Sequence, residues 1–238
     1  CAGIKGGGGV YLTNGASFTM NAGTIKRCTA NERALGGGVY VDSDCTFIME
    51  GGAIDSCTSA SGSAGGVYAA GTFIMSGGEI RSCHTEEGDV LLPADGGGVY
   101  VATSGKFEMS GGSIEGCCAW TNGGGVYVNT NGTFKMSGGT IRNNRLKEGW
   151  GQKGAGVYVA NGANATLIPE NITGNKKGSG ETDNIVGSYE KYIPPVDPVD
   201  PDYPLISILP ALAKDLPFAD VKSTDWFYND VKYAYETG

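Results

Sequence analysis

The chain has 238 residues, a formal net charge of −8 and 42 glycines. Hydrophobic residues make up 40% of it, which is enough to build a core and excludes a wholly disordered chain. The glycines lack the every-third-residue spacing of collagen, and no apolar run approaches the ~18 residues of a membrane span.

Charge and glycine divide the chain into two parts. Residues 1–180 have a net charge of −1 and hold 40 of the glycines, whereas residues 181–238 have a net charge of −7 and hold 2. The first part is nearly neutral and lacks the basic surface that is typical of nucleic-acid binders. We therefore expect neither a nucleic-acid partner nor a membrane span.

A repeat of 27 to 32 residues runs through the first part. Each unit has Gly-Gly-Val-Tyr, then Phe-x-Met, then Gly-Gly-x-Ile-x-x-Cys, with small departures in some units. The units are marked by Val10, Val39, Val67, Val99, Val126 and Val157. In the sixth unit the later part of the pattern is reduced to Leu167, Pro169, Ile172 and Asn175.

The unit contains three short apolar stretches that alternate with period two, separated by glycine pairs, which predicts three short strands. Units of this kind stack in register into an all-β solenoid. The pattern GGGVYV followed by FxMSGGxI resembles the right-handed parallel β-helix repeats of large secreted surface proteins of Gram-positive bacteria. The resemblance implies a right-handed parallel β-helix over residues 1–176, with about six rungs of three strands.

Charged residues follow the isoleucines with alternating sign. These residues are Lys26, Asp55, Arg81, Glu115 and Arg142. Stacked at strand spacing, each charge has opposite neighbours, and such exposed pairs contribute only ~0.2–1 kcal/mol each. The row is predicted to fix register and not to catalyse a reaction.

A structural column of cysteines and asparagines has one member in each unit. Its members are Cys1, Cys28, Cys57, Cys83, Cys117, Asn144 and Asn175. In-register side chains point the same way, so buried thiols are favoured over disulfides. No CxxC pair is present, and no metal or cofactor is predicted. Cys45 and Cys118 lie outside the column and are expected to be the more reactive thiols.

Cys1 occupies the position that ends a unit, so further rungs are expected before it. An open first rung predicts end-to-end self-association of the solenoid.

The repeat is lost after residue 176. Residues 177–215 are predicted to be an acidic linker, rich in proline between Pro194 and Pro204. In residues 216–238, Thr224 or Asp225 can cap a short amphipathic helix.

This last stretch resembles the first half of an S-layer homology module. The matching positions are Phe218, Asp220, Val221, Trp226, Val231 and Tyr233. The resemblance implies that complete modules of the parent protein attach it to secondary cell-wall polymer. It therefore predicts an extracellular location on a bacterial cell wall.

Two sets of aromatic residues are candidate ligand-binding sites. The Tyr row alternates with the inward valines and consists of Tyr11, Tyr40, Tyr68, Tyr100, Tyr127 and Tyr158. It is either a stack that stiffens the solenoid or a strip for a saccharide or protein. Trp120 and Trp150 lie in loops of adjacent units. They are either a sugar-stacking pair or cover the apolar edge beneath their loops.

No catalytic constellation is apparent. His84 is the only histidine, and no carboxylate pair repeats on adjacent rungs. We expect a non-enzymatic stalk or adhesin that binds a glycan or protein. The alternative is a pectate-lyase-like enzyme acting on polysaccharide, with its catalytic rungs outside this chain.

Overall fold

The computed structural model describes residues 2–3, 6–31, 34–60, 62–87, 94–148 and 152–194. These residues form an all-β solenoid of about six turns, as the repeat predicts. All strand pairing between successive turns is parallel and in register, so that Tyr68 lies beside Tyr100 and Phe73 beside Phe107. The proposed helix within residues 216–238 lies outside the described residues.

Two sheets of seven strands carry the valine and phenylalanine stretches. The Val–Tyr sheet comprises Val10–Leu12, Val39–Val41, Val67–Ala69, Val99–Val101, Val126–Val128, Val157–Val159 and Ile185–Val186. The Phe–Met sheet comprises Ser17–Met20, Thr46–Met49, Thr72–Met75, Lys106–Met109, Thr133–Met136, Asn164–Leu167 and Glu190–Lys191.

Two sheets of six strands complete the turns. The Ile sheet comprises Thr24–Lys26, Ala53–Asp55, Glu79–Arg81, Ser113–Glu115, Thr140–Arg142 and Ile172–Thr173. The post-Cys sheet comprises Ala2–Gly3, Thr29–Ala30, Thr58–Ser59, His84–Thr85, Cys118–Ala119 and Arg145–Leu146. A single turn of 3-10 helix, Pro169–Asn171, precedes the last strand of the Ile sheet.

The post-Cys sheet corrects the expectation of three strands per rung to four. Its strands have only two residues, which is too short for an alternating pattern to show in the sequence. Their inward positions vary from Ala30 through Ser59 and Thr85 to Leu146, all buried. Because the buried residue changes from small to polar to large, no apolar signature marks this strand.

Columns of identical side chains fill the interior. Phe47, Phe73, Phe107 and Phe134 are fully buried. Their rings stack at centroid separations of 5.0, 4.7 and 4.6 Å. Methionine, isoleucine and valine columns stand beside them in one continuous core. The apolar contacts therefore run along the solenoid axis from turn to turn.

The alternating charges on the Ile sheet form ion pairs between turns. Asp55 lies 3.2 Å from Lys26 and 3.3 Å from Arg81, and Glu115 lies 2.8 Å from Arg142. A hydrogen bond from the Ser56 hydroxyl, with those two cations, lowers the pKa of Asp55 despite its burial. The row thus holds compensated charges at every described rung from Lys26 to Arg142.

Strand pairing continues beyond residue 176, where the sequence repeat ends. Ile185–Val186 pairs with the sixth strand of the Val–Tyr sheet. Glu190–Lys191 pairs with the sixth strand of the Phe–Met sheet. Both strands lie in the stretch that the sequence assigns to the linker. They were missed because each has only two residues and no Gly-Gly motif accompanies them, so the repeat is not recognisable there.

The first complete turn is less well covered than the others. Val10, Phe18 and Ile25 are only partly buried, while their counterparts in the next turn, Val39, Phe47 and Ile54, are fully buried. Self-association at this end stays a prediction.

The described ranges contain no helix that is long and apolar enough to cross a membrane.

Candidate functional site

The Tyr row forms a stack along the outer surface of the Val–Tyr sheet. Centroid separations are 4.9–5.2 Å, and interplanar angles are 12° or less from Tyr40 to Tyr158. Tyr11 at the end is tilted by 49° and is 47% exposed, whereas Tyr100 is only 8% exposed. Interior rings cover each other's faces, so they offer edges and not flat faces to solvent.

Burial in this stack changes the acidity of the phenols. Burial, with a smaller effect of Asp42, raises the pKa of Tyr40 to about 12. Burial likewise raises the pKa of Tyr127 to about 12. The hydroxyl groups of both residues are therefore neutral at physiological pH, so these two phenols offer no charge to an ionic ligand.

The loop edge consists of the connections from each post-Cys strand to the next Val–Tyr strand, and it contains Trp120. This side chain is half-buried. The backbone N–H of Trp120 donates to Thr85 Oγ1 at 2.9 Å, and its carbonyl accepts a hydrogen bond from Gln152 Nε2. Three successive turns are thus linked through one residue. Trp150 lies outside the described residues, so its place beside Trp120 stays a prediction.

A buried carboxylate also links the loop edge from turn to turn. Asp95 is 2% exposed and accepts hydrogen bonds from Thr121 Oγ1 at 2.6 Å and from the Asn122 N–H at 2.8 Å. Burial raises the pKa of Asp95, although these donors act in the opposite direction. Such internal bonding fixes the positions of Asp95, Thr121 and Asn122 relative to one another, as a preformed binding surface requires.

Two depressions lie near the last turns of the solenoid. One, of about 370 Å³, lies between two loop-edge segments and is lined by Lys147, Glu148, Gln152, Lys177, Gly178 and Ser179. The other, of about 280 Å³, is lined by the outer side of the Phe–Met sheet and by the exposed Tyr189. The first is continuous with the connection that carries Gln152, the residue bonded to Trp120.

The column of cysteines and asparagines is buried and continuous. Cys57, Cys83 and Cys117 are fully buried, and all six described cysteines are free. The thiols of these three residues, Cys57, Cys83 and Cys117, each donate to the backbone carbonyl of the isoleucine one turn earlier. Cys83, for example, donates to Ile54 at 3.6 Å. Asn144 Nδ2 makes the same bond, to Ile114 at 3.0 Å. Cysteine and asparagine therefore perform the same structural role in different units. Cys1, the first member of the predicted column, lies outside the described residues.

The asparagines extend this column toward the last turn. Asn144 Oδ1 accepts the N–H of Cys117 at 2.9 Å, and Asn175 Oδ1 accepts the N–H of Asn144 at 2.9 Å. Asn184 Oδ1 in turn accepts the N–H of Asn175 at 3.1 Å. The column of hydrogen bonds thereby extends to Asn184, a position that the sequence repeat does not predict.

Burial changes the acidity of the thiols as well. Burial raises the pKa of Cys28 and Cys83, and hydrogen bonding with Cys83 together with burial raises that of Cys57. Cys45 and Cys118, expected to be the more reactive pair, are each only 2% exposed. In Cys28, Cys57 and Cys83, the protonated thiol is favoured in the folded state. Their contribution to stability is therefore complete below the ordinary thiol pKa of about 8.5 and declines as pH rises above it.

We expect the six described cysteines to resist alkylation in the folded chain. N-ethylmaleimide at pH 8 should modify them on the order of 100-fold more slowly than in denatured protein, because reaction needs an accessible thiolate. Peptide mapping by mass spectrometry, with and without denaturant, measures each site separately. Rapid modification of Cys57, Cys83 or Cys117 without loss of circular dichroism would contradict the buried column.

The remaining sequence candidates do not form a reactive cluster. His84 Nε2 lies 3.2 Å from Thr58 Oγ1 on the neighbouring turn. Within the ranges that the structure describes, no group of three or more His, Cys, Asp and Glu residues could hold a metal ion. The S-layer homology positions Phe218, Asp220, Val221, Trp226, Val231 and Tyr233 lie outside the described residues.

Parallel in-register turns, four sheets and an axial core define the class of the chain as a parallel β-solenoid. The chain belongs to the right-handed β-helix family, because the model of the right-handed β-helix region matches residues 8–188. Neither the curated proteins nor the solved structures contain a match. The matched residues do not reach 216–238, so the S-layer resemblance depends on the sequence of that stretch alone.

Sequence reasoning missed the cavity between the last loop-edge segments. Lys177, Gly178 and Ser179 follow the last recognisable repeat position, Asn175, and were assigned to the linker. One signal of a further turn was available in the sequence. Asn184 lies nine residues after Asn175, and in other units the next turn begins at a similar distance after the column residue.

Proposed function

We propose that the chain is part of an extracellular bacterial surface protein in which the β-helix is a stiff stalk with a glycan-binding loop edge. Residues 216–238 would begin the modules that attach the parent protein to cell-wall polymer. The observation that carries the proposal is the loop edge itself, where Trp120, Gln152 and a polar cavity lie on successive connections.

The solenoid supports the role of a stalk. Stacked rings, hydrogen-bonded strands and the Cys–Asn column all link each turn to the next. A force along the axis is shared by four sheets, so no single contact carries the whole load. Identical residues at each level also make the length of such a structure adjustable by the number of turns.

The loop edge supports a binding role better than the Tyr row does. Saccharide rings stack on aromatic faces, and the faces in the Tyr row are occupied by neighbouring tyrosines. Trp120 is half-buried and has its backbone fixed on both sides by Thr85 and Gln152. An aromatic side chain on a fixed backbone is a suitable platform for sugars, and preorganisation reduces the entropic cost of binding.

A glycan array with the full chain tests this proposal. We expect binding to a restricted set of glycans and at least a tenfold loss in Trp120→Ala, on the assumption that a sugar ring gains as much from an aromatic face as a nucleic-acid base does, ~1–3 kcal/mol. Trp120→Phe should retain part of the affinity because it keeps an aromatic face. Tyr127→Phe is the matched control on the stack, and it should bind like the unmodified chain.

Two outcomes would contradict the proposal. Binding unchanged in Trp120→Ala, with Tyr127→Ala deleterious, would move the site to the Tyr row. Release of reducing ends or unsaturated products from any bound polysaccharide would replace the adhesin by an enzyme. Far-UV circular dichroism of each variant separates loss of binding from loss of fold.

A further inference from the structure

Five basic residues lie on the loop edge of the last two turns or directly beside it. This basic corner consists of Arg145, Lys147, Lys153, Lys176 and Lys177. Arg145 and Lys176 are directly opposite each other in a parallel bridge, where neighbouring chains are separated by ~4.8 Å. Like charges placed opposite each other destabilise a sheet. An arrangement of this kind is therefore costly unless an anion offsets it.

The same solenoid avoids such repulsion elsewhere. On the Ile sheet, each charge from Lys26 to Arg142 has an opposite charge in the next turn. In the basic corner, Lys177 is paired with Glu181 at 3.1 Å. Among the described residues, the other four cations have no carboxylate within ion-pair distance.

Carboxylates near the corner leave an excess of positive charge. Asp183 is occupied by backbone donors, the N–H groups of Gly154 at 2.7 Å and Ala155 at 3.3 Å. Glu181 is occupied by Lys177, and Glu148 lines the cavity of about 370 Å³ beside Lys147. The corner therefore combines exposed cations with a cavity whose lining also offers amide, hydroxyl and carboxylate groups.

The cavity is formed by two segments that are held close together. A β-carbon on Gly178 would lie 2.6 Å from the Glu148 nitrogen and 2.7 Å from its Cα. Gln152, on the far side of the connection, is bonded to the Trp120 carbonyl. The cavity, whose lining includes Lys147 and Lys177, is therefore linked to the backbone of Trp120 through the hydrogen bond of Gln152.

We propose that the basic corner binds an acidic glycan, with its carboxylate or sulfate groups on Arg145, Lys147 and Lys176 and a sugar ring in the cavity beside Gln152. This inference names the ligand class of the glycan-binding edge proposed above and rests on that function. A polysaccharide fits better than DNA, because its free sugar hydroxyl groups can donate to the Glu148 carboxylate, whereas the internal sugars of DNA have no free hydroxyl group.

Isothermal titration of the full chain with heparin fragments and with oligogalacturonate tests the inference. Maltoheptaose serves as the neutral probe and single-stranded DNA of equal charge as the polyphosphate probe. We expect at least one acidic glycan to bind more tightly than both of these probes, and its affinity to fall as salt is raised.

The double variant Lys147→Gln with Lys176→Gln should weaken that binding about tenfold, because it removes two exposed ionic contacts, each of modest strength. Lys135→Gln is the matched control, because Lys135 is an exposed lysine on the Phe–Met sheet, in register with Glu108. It should leave the affinity unchanged. Both substitutions are at exposed positions, and thermal unfolding checks that the fold is retained.

Any of the following outcomes would overturn the inference. Equal losses in the double variant and in Lys135→Gln would show non-specific attraction, and tighter binding of DNA would assign the corner to polyphosphates. Glycan binding that is lost in Trp120→Ala but kept in the double variant would leave the proposed function standing and overturn the acidic ligand. Failure of the whole array to bind would overturn both.

Discussion

Phe107→Ala should lower the free energy of unfolding by ~3–5 kcal/mol, which is typical of truncating a fully buried phenylalanine. Phe107 has no exposed surface and stacks on both sides, on Phe73 at 4.7 Å and on Phe134 at 4.6 Å. The cavity would interrupt a column that runs through the core, and strands hydrogen-bonded on both edges cannot collapse into it. Denaturant titration followed by circular dichroism measures the change.

Phe18→Ala is the matched control at the end of the same column. Phe18 is partly exposed, and among the described rings it stacks only on Phe47, at 5.4 Å. We expect a loss of ~1–2 kcal/mol, because less surface is removed from the core. In the sixth unit, alanine already occupies the position of the phenylalanine column, as Ala165. Equal effects of the two substitutions would contradict a core whose stability depends on turns stacked on both sides.

The inward columns could be predicted because their residues recur at every turn. Val39, Phe47 and Ile54 occupy positions that repeat in neighbouring units, and period-two alternation gives the face on which each lies. The charge row from Lys26 to Arg142 was readable for the same reason. Repetition replaces the alignment of homologues, because each unit is compared with the others.

The candidate site was less predictable because loops do not repeat. Trp120, Gln152 and Ser179 lie on three connections of different length and composition. Their proximity depends on the axial rise of the turns and on hydrogen bonds such as that from Gln152 to Trp120, which no sequence pattern indicates. The like-charged pair Arg145 and Lys176 was hidden as well, because the two-residue strand that aligns it has no apolar signature.

A second effect of comparable size is expected for Gly97→Ala. Gly97 is the second glycine of its Gly-Gly-Gly motif, and its φ is not in the left-handed region, so the constraint is one of space. A β-carbon would lie 2.5 Å from the carbonyl carbon of Cys118 and 2.6 Å from its oxygen. These are backbone atoms of the next turn, and no side-chain rotation relieves the overlap.

Relief of that overlap requires the Val–Tyr and post-Cys sheets to separate. Gly97 N donates to Gly123 O at 3.0 Å, and Cys118 N donates to Cys83 O at 2.9 Å, so movement on either side breaks hydrogen bonds between turns. We expect a loss of ~3 kcal/mol, at the upper end of overpacking costs. Thermal unfolding of the full chain and soluble yield at a fixed temperature measure it.

Ala155→Gly is the matched control at the equivalent position of the sixth unit. That position already holds a β-carbon, buried against Ala119 and Leu146. Its removal should cost no more than ~1 kcal/mol, the ordinary difference between alanine and glycine. If Gly97→Ala were tolerated as well as Ala155→Gly, the turns would be separable at this junction. Glycine would then occupy this position because of its conformational freedom, and not because two backbones approach each other closely there.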